Sequence, residues 1–511
     1  MRWYRIAAVV AVAGGQGQAP PGPGKVALVG VGVVDVAAGR TLPGRTVFIE
    51  HGVITRIAPA DSVTVDPSYT RVDGKGAFLM PGLADLHAHV RRSEELDLYL
   101  AAGVTTIQWL NAGQDDLALR DAIRAGTRRG PAITLCRGGI NDVTDSAAAV
   151  KEVAQTIAEG FDCLKIYNRF TEPAYRVIIA TAAARGVRAL GHIPRQLTWQ
   201  QMLQARPRAV AHAEEFLYSP IESAADVDTI VAGMVRGKIA LIATLTNYDM
   251  ISRQLVELPE LLRGSEITTY SPVHRRTWGP KRNRYSTRWT SEQAIAFRRQ
   301  LTFQRALVRR LDSAGAQILL GTDTGNNFLL PGRSVHDELV QLVLAGLTPA
   351  SALRTATLNA AAFLGEPGKW GQVVEGARAD LLLVAGDPLR DITNTKLILG
   401  MMTAGQWHPR TELDDWVEKV RAGYAVEERM VAILERQGPA AAIRFVEAER
   451  RRLGRPPLGV IGFNEVAYQY WVLDNDTTKA RLFFEANARL YPNDPIAKSS
   501  LAEFRGAMRG K

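Results

Sequence analysis

The sequence predicts an α/β protein: a (β/α)8 TIM barrel carrying a small β-sandwich domain assembled from its two flanks, followed by a helical extension. Three observations lead there. Between residues 81 and 365, eight short apolar runs alternate with helical patterns, which is how repeated βα units and a parallel sheet read. Two β-rich stretches, residues 25–80 and 366–410, flank that region. After Trp407 the composition turns to helix formers.

The first flank alternates apolar and polar residues between turn signals, as in KVALVGVGVVDV and RTVFIEHGVITRIAP, and predicts an antiparallel β unit. The second contains ADLLLVAGDP and KLILGMMTAGQW, so the two can close into one domain. The eight candidate barrel strands are LADLHAHV, VTTIQWL, AITLC, FDCLKIY, VRALGHI, RAVAHA, KIALIATL and AQILLGTD. Eight such units favour a closed barrel over an open sheet. The longest interval separates the seventh and eighth strands and holds HRRTWGPKRNRYSTRW, residues 274–289, which reads either as a lid on the barrel rim or as a solvated basic loop. Residues 411–511 form the helical extension, and RLFFEANARLYPNDPIAKSSLAEFRGAMRGK within it resembles part of a tetratricopeptide-type helix pair.

Composition narrows the function classes. A chain of 511 residues with 46% hydrophobic and 22% charged residues is long enough for a barrel-sized core, and no apolar run reaches the roughly 20 residues that span a bilayer. The net charge of +10 comes without stacking aromatics or a helix-turn-helix pattern, so nucleic acid is not the expected partner. Two cysteines, Cys136 and Cys163, are too few for a disulfide framework. Arg2 and Arg5 precede an apolar stretch from Ile6 to Ala13 and a Gly/Gln/Pro-rich segment, the order of a signal peptide over residues 1–19, with cleavage after Ala13 or near Ala19. A secreted or periplasmic protein is expected, the alternative being a cytoplasmic one with a short tail.

The chemistry-bearing residues fall at strand ends, where barrel active sites are built. His87 and His89 in PGLADLHAH stand two residues apart on one face of a strand and can share a metal ion. His192 ends the fifth strand, His212 the sixth, and Asp323 follows LLG at the eighth, so four of the chain's eight histidines occupy such ends. Lys165 lies inside the apolar strand FDCLKIY, where an unpaired ammonium is costly; reaction with carbon dioxide would turn its amine into a carbamate with two oxygens able to bridge two metals. His336, just beyond the eighth strand, is a candidate substrate contact, while Ser334 and Asp337 in SVHD fit a helix capping box. His51, His274 and His408 read as surface histidines.

PGLADLHAH, the strand lysine, the two separated histidines, LLGTDTG, ATLNAAAFLG and ARADLLLVAGDPL together resemble the amidohydrolase superfamily over residues 25–410. The resemblance implies its binuclear subtype: His87, His89 and Asp323 on the more buried metal, His192 and His212 on the other, and carbamylated Lys165 bridging both. Two divalent ions, zinc by preference for nitrogen-rich ligands, would activate a shared water as a bridging hydroxide, with Asp323 as general base and then acid, to cleave an amide, peptide or ester. A small peptide or N-acyl amino acid is the expected substrate, and a homo-oligomer is plausible from the resemblance. Imidazolonepropionase and prolidase-like members are the most similar, with two departures bearing on peptide specificity: His192 is followed by Ile193, Pro194 and Arg195 where some prolidase-like members have a Tyr two residues on, and Ile140 follows Gly138 and Gly139 where others have a His. The rival readings are a mononuclear deaminase on the same barrel and a non-catalytic scaffold whose C-terminal helices recruit a partner.

Overall fold

The computed structural model describes residues 24–509, and the expected signal peptide, residues 1–19, lies outside the described residues. Lys25–Asp35 (β1), Arg40–Glu50 (β2) and Val53–Pro59 (β3) pair antiparallel in succession. Thr70–Asp73 (β4) and Phe78–Pro81 (β5) instead run parallel to β1, so the expected antiparallel unit is a mixed sheet. The cause is a register shift in β1 between Leu28 and Val33, with Gly30 at φ +74°; the bend lets the first half of β1 meet β4 and the second half meet β5.

The barrel follows with all eight expected strands: Leu83–Ala88 (β6), Val104–Ala112 (β7), Ala132–Ile140 (β8), Cys163–Ile166 (β9), Arg188–Gly191 (β10), Ala209–Ala211 (β11), Ala240–Ile242 (β12) and Ile318–Leu319 (β13). Each pairs parallel with the next, and the Leu86 N–H donating to the Leu320 carbonyl (2.9 Å) and the Asp323 N–H to the His87 carbonyl (2.7 Å) bridge the remaining seam. Helices cover the outer face, so these strands are buried on both sides and read as near-continuous apolar runs. Side chains of Asp145, Thr171, Thr198, Ser223 and Thr348 cap helices by accepting a backbone N–H of the first turn, each worth about 1 kcal/mol. Cys136 and Cys163, which face each other in register on β8 and β9, form a disulfide.

Beyond the barrel, Leu381–Val384 (β14) pairs antiparallel with β5, and Ile398–Thr403 (β15) and Gln406–Pro409 (β16) extend the sheet, so both flanks build one eight-stranded layer. Val31, Val33, Val47, Ile49, Leu381 and Met402 share its core.

Residues 250–295 and 417–509 form a second compact unit. This corrects the reading of the segment 274–289 as a solvated basic loop. Its Trp278 is fully buried, and its arginines face carboxylates and amides of the C-terminal helices: Arg276 Nε meets Glu435 at 2.8 Å, Arg276 Nη1 meets Gln469 Oε1 at 2.5 Å, and Arg282 Nη2 meets Asp474 at 2.8 Å. Met430, Val446, Phe463, Phe483 and Phe504 build the core, with Val273 of the insertion among them. His274 is likewise buried, with Nδ1 3.4 Å from Glu465, and is no surface residue. In the larger unit His408 is also buried, against Trp416 and with Glu412 at 3.0 Å, whereas His51 sits exposed in the β2–β3 turn. Among the described residues no helix is long and apolar enough to cross a membrane.

Candidate metal centre

Strand polarity places the ends of β6, β9, β10, β11, β12 and β13 around one space, and the residues there carry the candidate chemistry. His87 and His89 leave β6 on the same face, with Nε2 atoms 3.2 and 3.1 Å from Asp323 Oδ1. Lys165, next to last in β9, is 1% exposed, and its Nζ lies 3.5 Å from His87 Nε2. The rings of His192 and His212 stand 5.0 Å apart and those of His212 and His87 4.5 Å apart. The ligand atoms of His87, His212 and Asp323 lie within 4.8 Å of one another. Six of the seven residues singled out from the sequence thus converge.

Backbone strain aims these side chains. His212, Thr244 and Asp323 take φ of +78°, +52° and +58° at the ends of β11, β12 and β13, a conformation costing on the order of 1–3 kcal/mol each for non-glycines and found where function needs it. Gly191, at φ +144° directly before His192, brings the backbone so close to β9 that a Cβ would lie 2.2 Å from the Ile166 carbonyl oxygen.

Further contacts fix which nitrogen each imidazole presents. His192 Nδ1 is bound by Glu215 Oε1 at 2.6 Å and His212 Nδ1 by Thr244 Oγ1 at 2.9 Å, which leaves both Nε2 atoms free for a ligand. Glu215 is fully buried; its other oxygen accepts the Ile193 N–H (3.0 Å) and Arg195 Nη1 (2.7 Å). Asp323 Oδ2 accepts from the Asn247 and Asn326 side-chain amides at 2.8 and 2.6 Å. Asp85 holds the loop ends together, accepting the His87 and Thr322 N–H groups and the Thr322 hydroxyl. None of Glu215, Asn247, Asn326, Thr244 or Asp85 stood out in the sequence. Glu215 carried a readable signal, an acidic pair directly after a candidate ligand in HAEEF; Asn247, in the first turn of the helix Leu245–Val256, and Asn326, in the turn after Asp323, carried none.

Burial pushes His87 and His212 well below the ordinary imidazole range, and the Lys165 charge adds to this, so their lone pairs are available. Burial also drives the Lys165 ammonium down, to about 8, against the pull of Asp323 and Glu215. For Asp323 burial acts upward, but His87 and the hydrogen bonds of His87 and His89 outweigh it and hold the carboxyl ionised. Neutral imidazoles turned toward one carboxylate, a His87 Nδ1 with no hydrogen-bond partner, and a buried amine without a carboxylate in ion-pair range among the described residues form a donor set that suits divalent cations. No ion is needed to explain the strand geometry, yet the cluster satisfies itself poorly without one.

His336 does not join this group. Its ring is buried between the helix Arg333–Leu344 and its neighbours, with Nδ1 3.0 Å from Thr395 Oγ1 and Nε2 2.9 Å from the Ala102 carbonyl, so both nitrogens are engaged away from the barrel mouth. The expected capping box is also absent: Ser334 Oγ accepts the Leu330 N–H and Asp337 pairs with Lys396, because the helix starts at Arg333, one residue before the serine meant to cap it. Glu338 from the same helix is the residue that matters here. It accepts the Leu245 and Thr246 N–H groups at 2.9 and 2.6 Å and so braces the turn that carries Thr244.

Replacing Glu215 by Gln should free the His192 ring to rotate and cut turnover and metal affinity about 10–100-fold, as removal of such an orienting partner usually does. Metal titration of the variant tests this; unchanged affinity with a normal pH profile would reduce Glu215 to a structural role.

Comparison with known proteins agrees with the geometry. Residues 100–408, which include Lys165, His192, His212 and Asp323, match the model of the Amidohydrolase family. A segment of 92 residues is 41% identical to an imidazolonepropionase of Deinococcus deserti, covering 17% of this chain and 22% of that one; the curated relatives matched are spanned over only 10% and 22% of their lengths. Among solved structures, a putative prolidase from Bifidobacterium longum superposes with a TM-score of 0.60 at 25% identity, covering 78% of this chain and all of that one. A bottromycin amidohydrolase superposes with a TM-score of 0.63 at 23% identity over 78% of this chain and 91% of its own, which speaks to the fold alone. A barrel with imidazoles, a lysine and an aspartate gathered at its strand ends therefore has its family settled over most of its length: this chain belongs to the amidohydrolase family.

Proposed function

We propose that the chain is a binuclear hydrolase that cleaves the amide bond of a small peptide or N-acyl amino acid. The observation that carries this reading is the convergence of four imidazoles on one carboxylate and one amine: the Nε2 atoms of His87 and His89 turned to Asp323, the His192 and His212 rings beside them, and Lys165 next to His87. His87, His89 and Asp323 would hold one divalent ion, His192 and His212 a second, and Lys165, as a carbamate formed with carbon dioxide and with loss of one proton, would serve both. Divalent ions there, zinc by ligand chemistry, would supply Lewis acidity, bringing the pKa of water toward about 7 and polarising the scissile carbonyl. The remaining work falls to the chain. Asp323 takes the proton of the attacking water at Oδ2, the oxygen oriented by the Asn247 and Asn326 amides, and returns it to the leaving nitrogen. Glu215 and Thr244 keep the imidazole Nε2 atoms turned inward.

Pro194 stands where some prolidase-like members have a Tyr, and the Arg195 that follows is held by Glu215, with its guanidinium 3.7 Å over the Tyr218 ring. The similarity to a putative prolidase supports a peptide substrate, and this departure supports selectivity different from that protein's. Export of the mature enzyme is part of the proposal; the N-terminal pattern supports it, and the Cys136–Cys163 bridge is a bond that persists in oxidising compartments. The test is metal analysis of the purified protein together with a panel of dipeptides, N-acyl amino acids, lactones and aryl esters. Two ions per chain and turnover of an amide substrate are expected. One ion per chain with release of ammonia from a nucleobase would replace this reading by a deaminase.

A further inference from the structure

At the opposite end of the barrel, the turns entering β10, β11 and β12 gather cations. Arg188 opens β10, Arg206 and Arg208 lead into β11, and Lys238 leads into β12, roughly 13 Å along the strands from the imidazole cluster at about 3.3 Å per residue. The four line two adjoining cavities of about 260 and 490 Å³, with Arg206 and Arg208 in the wall of both and Gln317 in the larger. No ion pair is formed by any of them among the described residues. Asp162, the carboxylate whose field reaches Arg188, is engaged by Arg120 at 3.2 Å and Arg124 at 3.4 Å. Arg208 makes a long bond to Gln317 Oε1 at 3.4 Å, and its guanidinium and that of Arg188 stand 4.4 and 6.0 Å from the Phe363 ring centre. Arg188 Nε is buried with no hydrogen-bond partner.

The backbone gives a second, independent sign. Arg206 and Lys238 end the helices Trp199–Ala205 and Ala224–Gly237 in the left-handed region, at φ +56° and +51°. The corresponding turns before β10 and β13 use Gly186 and Gly315, at φ +70° and +76°. Glycine is the unstrained choice at such a position. A cation does gain from a helix C-terminus, but Arg236 already supplies one within the last turn of the second helix without strain. What Arg206 and Lys238 add at their strained positions is a charged side chain on the cavity wall.

We propose that these cavities form a binding site for a soluble small molecule carrying two or more phosphate or carboxylate groups, distinct from the hydrolytic centre. Guanidinium forks match such oxyanions two bonds at a time. The larger cavity falls within the usual size of small-molecule sites. Its concave walls suit a soluble anion better than the flat surface of a bilayer.

Calorimetric titration of the full chain with inorganic pyrophosphate tests the proposal. One pyrophosphate per chain should bind, with affinity that falls as salt rises, and Arg206→Gln/Lys238→Gln should weaken it at least tenfold while hydrolytic turnover stays unchanged. Arg206→Gly/Lys238→Gly should also lose binding yet raise Tm, because it relieves both strained residues; this separates a ligand role from helix capping. Absence of saturable binding at low salt overturns the site. So does affinity undiminished from the parent's in both double variants, which would assign the anion to the metal centre. Capture on phosphatidylglycerol vesicles without pyrophosphate binding would overturn it too, in favour of a membrane surface.

Discussion

Asp323→Asn should lower kcat on the order of 10³-fold, about 4 kcal/mol of lost transition-state stabilisation, while leaving the barrel folded. Asn has nearly the same shape, so the Asp323 N–H bond to the His87 carbonyl that helps bridge the barrel seam is kept. What disappears is the charge facing His87 and His89 and the oxygen able to carry a proton between water and leaving group. The amide also keeps a single acceptor oxygen, so either the Asn247 and Asn326 amides lose theirs at the Oδ2 position or His87 and His89 face an N–H₂ at the Oδ1 position. Steady-state kinetics with metal content measured on the same sample checks this. A kcat within tenfold of the parent, at equal metal occupancy, would remove Asp323 from proton transfer and leave it at most a ligand.

The second large effect is expected at Lys165. Lys165→Ala should lose metal and activity together, because the bridging carbamate is the one ligand proposed to serve both ions. Acetate or propionate should partly restore activity by supplying two oxygens in the vacated space. Lys165→Met separates chemistry from packing. Methionine fills a similar volume without an amine, and when both proteins are compared free of metal, removing a fully buried amine that lacks a carboxylate partner should leave Tm unchanged or raise it. Loss of turnover with an undiminished Tm is the expected signature. An unmodified amine in the intact mass of a fully active, two-metal enzyme would overturn the bridging role and require another ligand between the ions.

The barrel was legible because parallel strands buried on both faces leave uninterrupted apolar runs, and all eight fall where the runs predict. His87, His89, Lys165, His192, His212 and Asp323 could be read because histidines and an isolated lysine are conspicuous at the ends of, or inside, apolar strands. Asn247 and Asn326 could not, since an amide just past a strand end looks like any solvated residue until the fold turns it inward. The segment 274–289 misled for the converse reason. Arginine and aromatic residues without periodicity suggest a surface, yet Trp278 and Arg276 are buried because complementary acids arrive from residues more than 150 positions later. His336 showed the limit of arguing from position alone: a place just after the last strand does not fix whether a ring faces the mouth or the helix layer.

The pairing of β5 with β14 has a kinetic consequence. Phe78 meets Val384 across that ladder, so the strands made first must wait for a partner synthesised roughly 300 residues later, on the order of 15–60 s at the usual pace of translation. Throughout that interval β5 offers an open row of amide and carbonyl groups along one side, the kind of template on which nascent chains associate with one another. A nascent chain of this protein is therefore a natural client for holding factors until its last sheet strands emerge, and truncation before Leu381 should yield aggregates rather than a smaller soluble barrel.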